Sequence, residues 1–347
     1  MSGAGAALLH SAAVMLATLA VIGVGGWTAL ALRFQAPGGA VLKSCLISLW
    51  LVFSVAVLIG LQGEHTAVAA LSFALAFAVV LIWWHSLKPS NNRAWADDVA
   101  RTLAGEISDD TAILSNVRNF TWRGAGDYTA RWETRRYDLR HLCAVDLITS
   151  YWDIPGVAHV LISFGFEDGT YLAFSVEIRR QRNEAFSAIG GFFKQFELSV
   201  IAADERDVVR VRTNLRGEDD YLYRLRLPVP AIRSLFCAYI DQANSLVHTP
   251  RFYNTITVNC TMLVYHMMRH ILGRLPFSLR LVFTGFLPGY VYSVGGLDQR
   301  YTLKQLRTFG RITERARQAD GSASFSQDIR AGIPPLPSSS PEPLSRA

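Results

Sequence analysis

Three long apolar runs fill the first 84 residues of the chain, at about 9–32, 41–62 and 66–84. Each run is long enough to cross a bilayer core of about 30 Å, which takes roughly 20 helical residues. The full charges in this part of the chain are Arg33, Lys43 and Glu64. The pattern predicts a transmembrane region of three helices over residues 1–84, with a buried three-helix domain as the alternative.

After a polar linker, "HSLKPSNNRAW" (85–95), the pattern predicts a soluble domain over residues 85–331. We expect a short helix at 95–105 and strands at 111–122, 128–139, 141–152, 157–166, 170–179, 196–215 and 221–228, with a solvated turn at 204–207. Further helices are expected at about 228–247 and 259–273. This order predicts an α+β fold with an antiparallel sheet and packed helices.

Two C-terminal segments are harder to place. Residues 277–296 are apolar but interrupted by Gly285, Pro288 and Gly289, which favours core or interfacial helix over a fourth membrane segment. The Pro- and Ser-rich tail, 332–347, is typical of a disordered segment.

Composition supports a membrane-associated protein. The chain has 347 residues, of which 50% are hydrophobic, and its mean hydropathy is +0.21. The soluble part carries 32 basic and 27 acidic residues without a basic block. This distribution does not indicate a nucleic-acid partner and suits a surface near anionic lipid. The four cysteines form no CxxC motif, so we expect no metal and no cofactor, and a Cys143–Cys237 disulfide stays open.

The stretch 156–180, "GVAHVLISFGFEDGTYLAFSVEIRR", predicts a hairpin whose register can be read from its pattern. A three-residue Glu167-Asp168-Gly169 loop with Gly169 in the left-handed conformation makes one face wholly apolar. A two-residue Asp-Gly turn would place Glu177 on that apolar face. The favoured register sets His159 directly opposite Glu177.

A carboxylate beside an imidazole fixes its tautomer and stabilises its charged form, as a base that serves a thiol requires. Cys260 follows Asn259 at the predicted start of a helix, where free N–H groups and the helix dipole lower a thiol pKa. The simpler alternatives are a polar pair that pins the sheet and an inert buried thiol. Together the three residues favour a nucleophile, Cys260, a general base, His159, and an orienting residue, Glu177.

Many stretches of the chain from about residue 83 to 335 match one known pattern, among them "NVRNFTWR", "RWETRRYDL", "VDLITSYW", "AHVLISFGFEDG", "FSVEIRR", "ADERDVVRVRTN", "FYNTITVNCT" and "FSQDIRAGIP". They resemble the bacterial family named after the N-terminal periplasmic domain of Lnb, a lipoprotein N-acyltransferase. The order His, polar residue, Asn-Cys is also similar to permuted papain-like (NlpC-type) thiol enzymes. The resemblance implies the same roles for His159, Glu177 and Cys260.

The resemblance also bears on location. Arg33 and Lys43 flank the first loop, so the positive-inside rule weakly places the C-terminal domain in the cytoplasm. The family is periplasmic, which implies a bacterial inner-membrane protein with its C-terminal domain in the periplasm. Lnb has its membrane helices after this domain, whereas here three precede it, so lipoprotein acylation does not transfer directly.

Arg179 and Asn259 are the candidates for substrate contacts. Arg179 shares a predicted strand face with Glu177 and can receive a phosphate or carboxylate, although a structural ion pair is the commoner role of such an arginine. His266 and His270 lie one helical turn apart without a third ligand.

These observations predict a membrane-anchored Cys-His acyltransferase or hydrolase that works through a thioester on a membrane lipid or lipoprotein. The alternatives are a peptidoglycan or peptide amidase and a catalytically idle envelope module that binds lipid or protein.

Overall fold

A computed structural model describes residues 2–124, 126–152, 156–273 and 275–337 of the chain. The chain divides into two compact units. The first comprises Met1–Ser90 and Ser187–Gln195, and the second comprises Asn91–Phe186 and Phe196–Ala347. Of the tail expected to be disordered, residues 338–347 lie outside the described residues.

The first unit contains three apolar helices, as predicted: α1 (Ser2–Gln35), α2 (Ala40–Leu61) and α3 (Thr66–Ser86). Each helix is long and apolar enough to cross a membrane. A small core holds them together, in which the Trp50 indole N–H donates to the Gly25 carbonyl at 3.1 Å. Most of their other large side chains are exposed, as expected for helices whose solvent is lipid.

The loop Ser187–Gln195 belongs to this helical unit, which the sequence did not indicate. The Phe193 ring stacks on Phe34 at a centroid distance of 5.7 Å and also contacts Trp27 and Trp84. The Lys194 ammonium donates to the Trp84 carbonyl at 2.7 Å. An aromatic and a basic side chain thus fix the loop at the ends of α1 and α3.

The described residues of the second unit form ten strands: β1 (Ala104–Ser108), β2 (Thr111–Arg118), β3 (Thr121–Trp122), β4 (Tyr128–Thr129), β5 (Trp132–Asp138), β6 (Leu142–Tyr151), β7 (Ala158–Phe166), β8 (Tyr171–Arg179), β9 (Glu197–Ala203) and β10 (Asp219–Arg224). Eight of them form one sheet in the order β1-β2-β9-β8-β7-β6-β10, with β5 also paired to β2. Strands β3 and β4 form a separate pair. Within the eight-stranded sheet, the pairings are antiparallel except for the single parallel contact between β2 and β9.

The helices of this unit are α4 (Glu205–Val208), α5 (Val229–His248), α6 (Cys260–Leu272), α7 (Leu287–Ser293), α8 (Leu303–Gly310), α9 (Thr313–Gln318) and α10 (Phe325–Asp328). Short 3-10 turns lie at Asp97–Val99, Leu139–His141, Leu279–Leu281 and Thr284–Phe286, and a π-helical turn lies at Val211–Leu215. The architecture is the predicted α+β class.

The two faces of the sheet bury different cores. Helices α5, α6 and α7 cover one face, where they pack on Val160, Ile162 and Phe164 of β7. Helices α4, α9 and α10 cover the other face around Leu161 and smaller side chains. Cover on both sides of the sheet therefore accounts for the nearly continuous burial of β7.

The structure corrects two elements that the sequence predicted. The short helix expected at 95–105 is only a 3-10 turn followed by β1, because β1 pairs with β2 along its whole length. The strand expected over 196–215 ends at Ala203.

Residues 204–207, expected to form a solvated turn, are instead an anchored helical turn. The Asp207 carboxylate is buried and accepts hydrogen bonds from Arg118, the Trp122 indole and the Phe120 N–H. Glu205 is buried and accepts from Ser163 and Arg330. Three separate stretches of chain therefore fix this turn, and no local pattern records them.

Candidate active site

Cys260 is the first residue of α6, and Asn259 caps that helix as predicted. The Asn259 side-chain oxygen accepts the N–H groups of Thr261 and Met262 at 3.0 and 2.8 Å. Its amide donates to the Thr255 carbonyl at 2.8 Å, which ties the cap to the preceding loop. Within the described part of the chain, these bonds leave the Cys260 N–H as the unpaired donor of the first turn.

The hairpin has the predicted register. Gly169 closes its loop at a φ of +81°, and β7 pairs with β8 from Gly165↔Tyr171 to Leu161↔Ser175. The ladder stops there, although β7 stays paired with β6 as far as Ala158 and β8 with β9 as far as Arg179. The two strands therefore diverge, and a gap opens between them.

The Cys260 thiol lies at this gap, where it accepts a hydrogen bond from the Val160 N–H and interacts with the His159 ring. A continued ladder would pair Val160 with Val176, so the end of the ladder leaves the Val160 N–H for the sulfur. The divergence of the strands thus allows a helix on one face of the sheet to meet an imidazole on the other.

His159 is held from its far side by two oxygens. Its Nε2 lies 2.6 Å from the Ser175 hydroxyl and 3.2 Å from the Glu177 carboxylate. The Ser175 hydroxyl in turn donates to Glu177 at 2.7 Å. Because Nε2 faces the carboxylate, Nδ1 is the ring nitrogen left for the thiol.

His159 shifts the pKa values of Glu177 and Cys260, and both of these groups shift the pKa of His159. Burial is the largest single influence on His159 and opposes its charged form, but the Glu177 charge and the hydrogen bonds with Cys260 and Glu177 together outweigh it and raise the pKa of His159 to about 9. Burial also opposes the charged form of Glu177, yet the His159 charge holds the pKa of Glu177 well below its ordinary value. Burial raises the pKa of Cys260, but the hydrogen bond and the charge of His159 lower it by more, so the net pKa of Cys260 is below its ordinary value. The arrangement therefore favours a thiolate–imidazolium pair.

Arg212 is a site residue that the sequence analysis missed. It lies in the π-helical turn, is buried, and donates to Glu177 at 3.0 Å and to the Val208 carbonyl at 2.6 Å. Its charge lowers the pKa of His159, against the larger effect of Glu177. The sequence did not indicate this role because the stretch around Arg212 has the pattern of a strand. In the structure it is a π-helical turn, an element that is common at functional sites.

A second carboxylate group lies in the same row of the sheet. Ser150 pairs with His159 in one ladder and with Asp220 in the next, and its hydroxyl donates to Asp220 and to Glu218. Burial raises the pKa of Asp220 to about 7, although the Ser150 hydrogen bond opposes this. Sequence reasoning missed this group because strands β6 and β10 are distant along the chain.

Of the predicted site residues, the structure brings together Cys260, His159, Glu177 and Asn259, but not Arg179. The Arg179 guanidinium donates to the carbonyls of Val99 and Ala100 and to Asn91, and it stacks on the Trp95 ring. It thus fixes the linker to the sheet, and the substrate contact expected of it is not retained. Asn259 serves as the helix cap, and its side-chain oxygen and amide are both engaged.

The cysteines at 45, 143, 237 and 260 are all free thiols, so the Cys143–Cys237 disulfide left open by the sequence is not formed.

Comparison with curated proteins and with solved structures found no match. Comparison with protein families found one, the Lnb N-terminal periplasmic domain, over residues 128–285. The matched range includes strands β5 to β10 and both helices α5 and α6, and thus His159, Glu177 and Cys260. The resemblance expected from the sequence is therefore confirmed over residues 128–285.

Proposed function

We propose that this chain is a membrane-anchored thiol acyltransferase or hydrolase whose nucleophile is Cys260. The observation that carries the proposal is the contact of a thiol on the first residue of a helix with a buried imidazole that a carboxylate keeps charged. A thiolate stabilised in this way is a strong nucleophile near neutral pH. The order His159, Glu177, Cys260 along strand, strand and helix supports a permuted papain-like arrangement.

In the first step the Cys260 thiolate attacks the carbonyl carbon of an ester or amide. The unpaired Cys260 N–H at the start of α6 donates to the oxyanion that forms. The charged His159 gives its proton to the leaving oxygen or nitrogen as the carbonyl–leaving-group bond breaks, which yields a thioester on Cys260 and a neutral imidazole.

In the second step an acceptor amine, alcohol or water attacks the thioester. His159 takes the acceptor's proton, the thioester carbon–sulfur bond breaks, and the thiolate–imidazolium pair is restored. Glu177 and Ser175 hold the ring in place through both steps. A membrane lipid or lipoprotein is the preferred substrate, because three apolar helices precede the domain and tether it to a bilayer.

The site stands in a domain of a periplasmic family, attached to candidate membrane helices. We accordingly assign the protein to the bacterial inner membrane with this domain in the periplasm, against the weak positive-inside count of the first loop.

The test is intact-mass and peptide mass spectrometry of the full chain purified from its membrane, with and without neutral hydroxylamine. We expect a hydroxylamine-sensitive fatty acyl adduct on Cys260 that is absent from C260A and from H159A, and an oxygen-linked adduct in C260S. A peptidyl adduct would instead support an amidase. A thiol that stays unmodified, together with full biological activity of C260A and H159A, would leave an idle binding module.

A further inference from the structure

The exposed apolar side chains of the second unit concentrate beside the candidate site. In the segment 277–286, Phe277, Leu279, Phe283 and Phe286 are between 53% and 69% exposed. Large apolar side chains this exposed and this close together are unusual on a water-facing surface and typical of a surface that meets a partner or a membrane.

This segment is held rigidly. The Tyr265 and Tyr290 hydroxyls donate to the carbonyls of Leu275 and Pro276 at 3.0 and 2.8 Å. The backbone around Gly285 and the chain at Gly156 approach so closely that a Cβ on Gly285 would lie 2.6 Å from the Gly156 carbonyl carbon. The exposed aromatic rings are therefore presented by a fixed platform.

The same platform adjoins the catalytic strand. The Thr284 hydroxyl accepts the N–H of Ala158 at 2.8 Å, and the Gly285 N–H donates to the Gly156 carbonyl at 3.0 Å. Ala158 immediately precedes His159. The apolar surface and the proposed active site are thus connected through two hydrogen bonds.

The charge of this region is one-sided. Residues 242–297 contain the arginines 251, 269, 274 and 280 and no aspartate or glutamate, although the whole chain has 28 acidic residues. Arg251, Arg269 and Arg280 are exposed. Exposed aromatics among basic residues without acidic ones match the interface of an anionic bilayer, where the rings enter the headgroup layer and the arginines bind phosphates.

Behind the segment lies an apolar cavity. Its walls come from the sheet, from α6 and from the segment's inner side, including Leu147, Ile162, Val264, Met268, Leu281 and Leu287. The cavity volume is about 80 Å³, below the roughly 300–1,000 Å³ of pockets that hold a whole small molecule, so the cavity has room for only part of an acyl chain.

One residue of this apolar lining directly follows the nucleophile in the chain. Thr261, which follows Cys260, lines the cavity, and its buried hydroxyl has no hydrogen-bond partner among the described residues. A buried hydroxyl without a partner is unfavourable unless a ligand satisfies it. An ester oxygen beside Cys260 would do so.

We infer that an anionic bilayer surface docks on residues 277–286 and that an acyl chain of a bilayer phospholipid enters the cavity, with its ester near Cys260 and Thr261. The docking stands on the exposed surface and the charge alone. The position of the acyl chain rests on the proposed function and gives it a substrate class, a long-chain phospholipid drawn from the bilayer.

The experiment uses full-length C260A protein in vesicles of phosphatidylethanolamine and phosphatidylglycerol. The phosphatidylglycerol carries a photoreactive diazirine in the middle of one acyl chain, and labelled residues are mapped by mass spectrometry. We expect labelling of both the 277–286 segment and the cavity face of α6. Labelling of the segment alone would overturn the acyl cavity, and labelling of neither would overturn the whole inference.

Variants sharpen the test. The double change F283D/F286D should abolish labelling of the segment, whereas the matched pair I107D/I113D, on exposed strand positions of the same domain, should leave it unchanged. Equal loss in both pairs would overturn the docking surface. V264W, which fills the cavity, should remove the α6 label and keep the segment label, and persistence of the α6 label would place the chain elsewhere.

The two proposals fail separately. Because C260A has no nucleophilic side chain at position 260, lipid labelling is independent of catalysis. Labelling of α6 without a thioester on the wild-type thiol would leave a lipid-binding domain. A hydroxylamine-sensitive adduct without labelling of α6 would keep the enzyme and remove the cavity from its mechanism.

Discussion

The soluble domain contains two sets of cysteine, histidine and glutamate at opposite ends of strand β7. One set is Cys260, His159 and Glu177. The other is Cys143, His141 and Glu167, in which His141 Nδ1 lies 2.7 Å from the Glu167 carboxylate. Both histidines are paired with a carboxylate, and for both the pairing raises the pKa, led by the Glu167 hydrogen bond in His141.

The two thiols nevertheless behave in opposite ways. Burial and the Glu167 charge raise the pKa of Cys143, whose thiol donates to the Gly165 carbonyl at 3.4 Å. Cys260 meets the imidazole and the Val160 N–H, which lower its pKa despite burial. A nucleophile thus requires the imidazolium to stand between carboxylate and thiol, together with a donor aimed at the sulfur.

The environments of the two histidines differ as well. The His141 side chain is 56% exposed and His159 only 15%. Water screens the first pair, so its charge contributes little to any neighbour. The buried pair acts at short range through a medium of lower polarity, where its effect on a thiol is larger.

The largest difference between the Cys260 and Cys143 sets is expected from H159Q, which removes the imidazole beside Cys260. Without the imidazolium, burial and the Glu177 charge raise the pKa of Cys260 against the smaller effect of the Val160 N–H, so its alkylation by iodoacetamide at pH 7 should slow by roughly two orders of magnitude. Peptide mass spectrometry of timed samples measures all four cysteines at once. H141Q is the matched control and should leave every rate unchanged. Equal slowing in both variants would show that His159 acts only through folding.

The next effect is that of E177Q, which removes the charge that keeps His159 protonated. In the wild type the rate of acyl transfer should decrease above about pH 9, because His159 then loses the proton it gives to the leaving group. We call this decrease the alkaline limb of the pH profile. In E177Q the pKa of His159 drops, the alkaline limb moves to lower pH, and the rate at pH 7.5 falls about tenfold. The measurement is a pH profile of thioester formation from an alkyl ester, whose leaving alkoxide needs the His159 proton.

E167Q provides the comparison for this profile. It removes the equivalent charge from the exposed pair and should leave the limb near pH 9 in place. A limb that stays near pH 9 in E177Q as well would remove Glu177 from its assigned role.

The sequence determined much of this site in advance. The pleat pattern fixed the hairpin register, because any other pairing buries Glu177 among apolar side chains, and the Asn-Cys boundary marked the start of α6. These features are local, or involve strands joined by one short loop. Local patterns therefore sufficed for His159, Glu177 and the helix cap.

The rest depended on contacts between distant parts of the chain. Arg212 reaches Glu177 from a π-turn that reads as strand, and Asp220 shares a sheet row with His159 only through β6. The divergence of β7 from β8, which admits the thiol, leaves no mark in the alternation of polar and apolar residues. Arg179 was misjudged because its acceptors are carbonyls at Val99 and Ala100.

A smaller effect on chemistry, but a large one on stability, is expected of R212M. The change strips a buried partner from Glu177 and Glu218, which should lower the free energy of unfolding by roughly 3–5 kcal/mol. It also removes a charge that lowers the pKa of His159, so the alkaline limb should move upward, opposite to E177Q. Thermal melting and the pH profile measure the two effects.

R123M is the matched control for stability, because Arg123 forms an exposed pair with Asp127. It should leave the melting temperature unchanged. An R212M profile that shifts downward would show that Arg212 supports the charged imidazole through position and not through its charge.

The smallest effect is expected from C143S, which replaces the thiol of the exposed set, the counterpart of Cys260. Serine keeps a hydrogen-bond donor for the Gly165 carbonyl at an exposed position, so stability should change by no more than about 0.5 kcal/mol. Thioester formation, its limb near pH 9 and the alkylation of Cys260 should match the wild type, because Cys143 meets neither an imidazolium nor a second donor. A C143S variant that loses the hydroxylamine-sensitive adduct would reverse the assignment and make the exposed set the reactive one.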